Sequence, residues 1–109
     1  MKKDIFQALA DPTRRAIMSL ILVQAMTPNA LAEQFESSRQ AVSKHIKVLH
    51  EAGLLKSKQV GREIYYEIEA KRFKELDKWL APFRQLWEER FDRLDTYLAE
   101  LQKEKRNGK

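Results

Sequence analysis

Residues 37–55 read SSRQAVSKHIKVLHEAGLL, and two patterns are superimposed in them. At helical spacing Val42, Ile46 and Leu49 fall on one side, with His45, Val48 and Ala52 extending it. The opposite side carries Arg39, Gln40, Ser43, Lys44 and Lys47. Ser37 or Ser38 offers a capping hydroxyl, and Gly53 supplies the left-handed residue that ends a helix, so the stretch predicts a helix over 39–52. The polar side has the chemistry that reads DNA: arginine pairs bidentately with guanine O6 and N7, glutamine with adenine, and serine with a base or a phosphate. A basic helix face is also commonly no more than a solvated one, so the neighbouring elements decide between the two readings.

Working outward toward the N-terminus, Thr27-Pro28 is a helix start, with a capping hydroxyl followed by proline at the first helical position. It opens a short helix through Phe35, with Ala30, Leu31 and Phe35 inward. Glu36-Ser37 then leaves room only for a tight corner, which gives helix, turn, helix. Asp11-Pro12 repeats the start signal for a helix over 13–23, whose Ala16, Ile17, Leu20 and Ile21 form a core-facing stripe. Before it, 3–10 reads as a first helix with Ile5, Phe6 and Leu9 on one face.

Toward the C-terminus the period changes from 3.6 to 2. Residues 54–59 predict one strand; in a second, Ile64, Tyr66 and Ile68 alternate with Tyr65, Glu67 and Glu69. Residues 60–63 are the hairpin tip, where Gly61 can take a positive φ. Arg62 at that tip is suited to a narrow minor groove and Lys58 to a phosphate, although a wing arginine can equally serve to keep an edge hairpin soluble.

From residue 71 to about 104 the chain reads helical, with Pro82 expected to end the first segment near Leu80 or to kink it there. Heptad counting places Phe73, Leu80, Trp87, Leu94 and Leu101 in one column and Leu76, Phe83, Arg90 and Tyr97 in the other, with Phe91 and Leu98 beside the seam. Trp79 adds to the aromatic load. That stripe is wider than a two-stranded coiled coil needs and surplus to a core of some 65 residues, so a partner surface is its expected sink. A small-ligand aromatic pocket is the competing idea, and it lacks convergent polar groups.

The expected fold is therefore mainly α with a β-hairpin wing, in the order α-α-α-α-β-β-α: a winged helix-turn-helix with a long C-terminal dimerisation helix kinked near Pro82. The chain reads as one domain, with a winged-helix core over 1–70, C-terminal dimerisation helices over 71–104 and a frayed tail over 105–109.

Composition excludes several classes. The 109 residues are 43% apolar and 34% charged, ordinary for a folded protein. No apolar run nears the roughly 18 residues that span a bilayer, and the opening MKKDIFQALADPTRR turns charged too soon for a signal peptide, so no membrane partner and a cytoplasmic location are expected. The chain has no cysteine, which removes thiolate nucleophiles and Cys-based zinc sites. Its two histidines, His45 and His50, point about 140° apart on a helix. No cofactor, no metal and no catalytic residues are expected; there is no phosphate-cradling loop and no G-x-S-x-G. Residues 38–62 hold six cations against Glu51, so the chain's net charge of +5 is concentrated there.

Three stretches, ALADPTRRAIMSLI at 8–21, SSRQAVSKHIKVLHEAGLL at 37–55 and GREIYYEI at 61–68, together resemble the ArsR-type (arsenic-repressor-like) winged-helix transcriptional regulators. The resemblance covers residues 4–70 and implies a homodimer that represses transcription from an inverted-repeat operator, with dimer contacts from the first and last helices. Residues expected to touch double-stranded DNA are Ser38, Arg39, Gln40, Ser43, Lys44, Lys47, Lys58 and Arg62. Those expected at the dimer interface are Ile5, Phe6, Leu9, Leu80, Phe83, Trp87, Phe91, Leu94 and Leu98. Metal-sensing members carry a thiolate pair in the helix before the recognition helix, which has no counterpart in Ala30 to Phe35, and no histidine follows His50 to supply their other site. The resemblance is thus to the non-metal branch. WLAPFRQLWEERFDRLDTYL at 79–98 is similar to members associated with genes for START-like lipid-binding proteins; it identifies no effector, though a small-molecule one is compatible with the family. A different class remains open alongside, a winged-helix protein-interaction module that docks through its aromatic last helix.

Overall fold

The computed structural model describes residues 4–107, and side chains through Lys105. Five α-helices and one hairpin follow in order: α1 Ile5–Ala8, α2 Pro12–Val23, α3 Pro28–Glu33, α4 Arg39–Glu51, β1 Leu55–Val60, β2 Glu63–Ile68, a 3-10 turn Ala70–Arg72 and α5 Phe73–Asn107. The chain divides into two compact units, Met1–Leu76 and Asp77–Lys109.

The helix starts follow the capping signals. The Asp11 carboxylate accepts from the amides of Thr13 and Arg14 at 2.8 and 3.1 Å, with Pro12 in the first helical position. Thr27 Oγ1 accepts from Ala30 N–H at 3.1 Å, and Ser38 Oγ from Ala41 N–H at 3.1 Å, so Ser38 rather than Ser37 is the cap of α4. At the other end of α4, Gly53 has φ 79°, its N–H donates to His50 O at 3.0 Å and Leu54 N–H donates to Leu49 O at 3.0 Å. That pair of bonds is a Schellman motif, and it needs the positive φ that glycine takes without strain.

β1 and β2 pair antiparallel from Leu55↔Ile68 to Val60↔Glu63, leaving a two-residue tip, Gly61-Arg62. Gly61 has φ 63° and, among the described residues, no non-glycine residue has positive φ, the signature of a type II′ turn. The strands sit one residue later than the period-2 pattern placed the first of them, because Leu54 is spent closing the Schellman motif. Met26 adds a bridge the pattern did not announce, exchanging both backbone hydrogen bonds with Tyr66 at 3.2 and 2.8 Å and so seating the wing on the α2–α3 connection.

The core of the first unit collects Ile5 and Ala8 from α1, Ile17, Met18 and Ile21 from α2, Leu31 from α3, Val42, Ile46 and Leu49 from α4, then Ala52, Leu54 and Leu55. On α2 the buried stripe is rotated relative to the expected one: Met18 enters the core, while Ala16 and Leu20 are only half-buried. Phe73 and Leu76, the first turn of α5, pack against this core.

Several boundaries differ from the sequence expectation. The first helix is a single turn rather than 3–10, since Leu9 already caps it and Asp11 starts the next; Lys3 lies outside the described residues. α5 neither ends at Leu80 nor frays at 105, remaining helical through Pro82 to Asn107, while Gly108 and Lys109 lie outside the described residues. Proline costs the turn one backbone hydrogen bond. Across that turn Arg84 donates to the Asp77 carboxylate at 2.6 Å and to the Asp77 carbonyl at 3.3 Å, and the rings of Trp79 and Phe83 stack with centroids 4.8 Å apart. These contacts splint the segment that proline weakens.

The Asp11 cap makes stability depend on acid. The Arg14 amide bonded to it holds the Asp11 carboxyl below its ordinary value, so its contribution is present above the unfolded pKa, near pH 4, and is lost as pH falls through the depressed folded value. Asp11→Asn keeps an acceptor oxygen and abolishes the titration. In urea melts the advantage of wild type over Asp11→Asn is expected at neutral pH and to shrink steadily below about pH 4.

Candidate nucleic-acid interface

The geometry of α4 follows from its own amphipathicity. Val42, Ile46 and Leu49 are almost completely buried, which turns Arg39, Gln40, Lys44 and Lys47 out to solvent. Ser43 is half-buried at the edge of that face. Ser38 is exposed, and with its hydroxyl oxygen engaged by Ala41 N–H its own proton is left to donate outward.

Arg39, Ser43 and Arg62 come together on one open cleft of about 330 Å³, with Thr27, Pro28, Asn29, Glu63, Ile64 and Tyr66 completing its walls. The wing tip therefore stands beside the N-terminal turn of α4. Asn29, in the first turn of α3, shares this cleft; nothing in its spacing marked it. Lys47 pairs with Glu51 at 3.9 Å with its side chain 76% exposed, a surface pair that a phosphate can replace at little cost.

The wing corrects the charge map. The excess of +5 over residues 38–62 stops at the hairpin tip, and β2 folds acids back onto the same surface. Lys56 stands directly opposite Glu67, an oppositely charged cross-strand pair. Lys58 stands opposite Tyr65, whose hydroxyl donates to Glu63 at 3.1 Å. The cationic surface therefore concentrates on α4 and Arg62, with Lys58 flanked by Tyr65.

Arg14 and Arg15 turn back on α1. Arg15 donates to Leu9 O at 2.8 Å, and Arg14 donates to Ala8 O at 2.6 Å and Gln7 O at 3.2 Å. They satisfy carbonyls at the end of a helix too short to bond its own. His50 is exposed, its ring edge-on to Tyr66 at 6.0 Å. His45 is half-buried and meets the Arg14 side chain.

Of the residues expected between two copies, Ile5 is corrected: it is 0% exposed in the core of its own chain, where α1 must bury it to dock at all, so no partner reaches it. Leu9 and Leu80 are half-buried. Phe6, Phe83, Trp87, Phe91, Leu94 and Leu98 are exposed, and Trp79, Leu86, Tyr97 and Leu101 extend the same stripe of α5. Among the described residues no helix is long and apolar enough to cross a membrane.

A helix-turn-helix domain family model matches residues 9–58. The chain is 31% identical over 80 residues, 73% of its own length and 89% of the relative's, to the transcriptional repressor SdpR of Bacillus subtilis. It is also 38% identical to the crystal structure of an ArsR family transcriptional regulator, covering 77% of this chain and 92% of that one with a TM-score of 0.67. The chain belongs to the ArsR family of transcriptional regulators. A further family structure, an ArsR-like transcriptional regulator from Rhodococcus sp. RHA1, is 30% identical over 85% of this chain and 88% of its own, with a TM-score of 0.65. This regulator is accordingly a winged helix-turn-helix protein that binds DNA, with α3 and α4 forming the helix-turn-helix and the β1–β2 hairpin the wing.

In this ArsR family member the exposed first turns of α4 are the surface expected to make base contacts. Gln40→Ala is expected to cost about 1–3 kcal/mol at one base position and to leave the rest of the site unchanged, measured on a panel of single-base variants of a bound duplex. Lys47→Ala should weaken all sequences alike and flatten the log–log salt slope by about one unit. Equal loss from Gln40→Ala on every duplex would contradict the assignment.

Proposed function

We propose that this regulator works as a homodimer that occupies an inverted-repeat operator and represses transcription from it, with Ser38, Arg39, Gln40, Ser43, Lys44, Lys47, Lys58 and Arg62 as its DNA contacts. The observation that carries the dimer is the apolar stripe of α5. At 100° per residue, Trp79, Phe83, Leu86, Trp87, Phe91, Leu94, Tyr97, Leu98 and Leu101 span about 140° of the helix surface. All of these are exposed in the single chain, Trp87 by 42% and Phe91 by 62%. Stable monomers rarely leave a continuous patch of that kind in water, and a second copy removes it from both chains at once. Phe6 on α1 and Leu9 at its C-terminal cap are the further apolar positions assigned to the dimer interface. A two-fold axis then sets two recognition helices one DNA turn, roughly 34 Å, or a multiple of it apart, which is what an inverted repeat matches.

Repression is supported by the name of the Bacillus subtilis relative, a transcriptional repressor. The output of such a protein is occupancy of DNA in the cytoplasm rather than a chemical step. A metal effector is not part of this reading: the chain has no thiol, and its two histidines both lie on α4, one engaged with Arg14 and the other against Tyr66.

Sedimentation at micromolar concentration tests the assembly. Wild type should run as a dimer, and Trp87→Ala, at mid-stripe where interface energy concentrates, should loosen it by about 2 kcal/mol or more and lower operator affinity with it. A clean monomer that still binds a full palindrome tightly would sink the proposal. Zinc added to stoichiometry and dialysed away should leave DNA affinity unchanged; retained zinc that alters it would overturn the metal-free reading.

A further inference from the structure

The recognition helix α4 buries Val42, Ile46 and Leu49, with Val48 partly buried against the same core, and these non-directional apolar contacts set its face while tolerating small rotations about its axis. A roll of about 10° moves a side chain standing 5–6 Å from the axis by about 1 Å. Bidentate base contacts tolerate about half of that. A directional contact narrows that freedom, and the half-buried His45, beside the buried face, makes one.

That contact is Arg14. Its Nη1 lies 3.4 Å from His45 Nδ1, while Nε donates to Ala8 O at 2.6 Å and Nη2 donates to Gln7 O at 3.2 Å. The backbone N–H of the same residue donates to the Asp11 carboxylate at 3.1 Å. A guanidinium has only donors, so Nδ1 accepts and the ring carries its proton on Nε2. Two of the three side-chain bonds end on the backbone of α1, whose Ile5 and Ala8 are 0% and 1% exposed. The planar fork is thus held at one end by a helix locked in the core and presents its remaining donor to α4 at a defined distance.

We propose that Arg14 is a positioning residue for DNA recognition, setting the roll of α4 through His45 without itself touching DNA. The cost of losing it falls on sequence choice, because base contacts depend on angle and phosphate contacts much less.

The test uses the duplex that wild type selects from a random pool and a scrambled duplex of the same composition, titrated across a salt series. Arg14→Gln and His45→Leu should each reduce the preference for the selected duplex by about tenfold, leaving scrambled-duplex binding and the salt slope as in wild type. The double variant should be no worse than the poorer single one, since both break one contact. His45→Gln, whose side-chain oxygen can accept from Nη1, should keep the preference. Thermal unfolding of each variant fixes a binding temperature below every transition. His45→Leu places an apolar group of similar size at a half-buried site, so it keeps the test open if Arg14→Gln folds poorly. A salt slope flattened by about one unit in Arg14→Gln would mean that Arg14 contacts phosphate directly. That result, additive losses in the double variant, or an unchanged preference in His45→Leu would each overturn the proposal.

Discussion

The burial of one face of α4 is the constraint on which the rest of this structure depends. Val42, Ile46 and Leu49 are between 0% and 2% exposed, and because a helix has a fixed period, putting those three into the core dictates where the other ten residues point. Arg39, Gln40, Lys44 and Lys47 are presented to solvent because their neighbours on the helix are hydrophobic. Each of the other elements supplies something to the cavity those three side chains fill: Ile17 and Ile21 from α2, Leu31 from α3, and Leu54 and Leu55 leading into the wing. A methylene lost from this face would therefore be felt as altered pose as well as lost stability, since a close-packed interior transmits its strain.

Short-range chemistry at the ends of the helices fixes how far each one runs. Asp11 with Pro12, Thr27 with Pro28, Ser38 and Gly53 divide the sequence into helices of defined length. Where capping is weak, tertiary contacts take over. α1 keeps only four residues of helix, and it holds its place by burying Ile5 and by handing its carbonyls to Arg14 and Arg15. The same compensation appears in α5, where Arg84 and the Trp79–Phe83 stack hold the helix through a proline.

Electrostatics acts here by position more than by total. A net charge of +5 is modest, and the wing returns two glutamates, Glu63 and Glu67, to the surface that its first strand made basic. What survives is a cationic strip along α4 with Arg62 standing beside its first turn. Such a strip is suited to steering the protein to a polyanion at long range, while the neutral Gln40 and Ser43 within it have the hydrogen-bonding groups for short-range discrimination that charge alone lacks.

The sequence by itself determined the order of elements, the amphipathic face of α4 and the turn positions, because these rest on local signals: a cap, a proline at the first helical position, a glycine with positive φ, and a change of period from 3.6 to 2. It also carried the family, through three stretches whose order and spacing reappear in the fold. Only the tertiary structure decided which apolar residues of α1 belong to this chain's own core, placing Ile5 inside and Phe6 outside, since a stripe of alternating burial looks alike whether it faces its own chain or another. It alone brought Asn29 and Glu63 to the cleft shared by Arg39 and Arg62, and Met26 to the edge of β2. It alone made Arg14 a link between α1 and His45, thirty-one residues away. Contacts at that separation depend on how helices cross, and crossing angles are set by the packed shapes of many side chains at once, which no local pattern encodes.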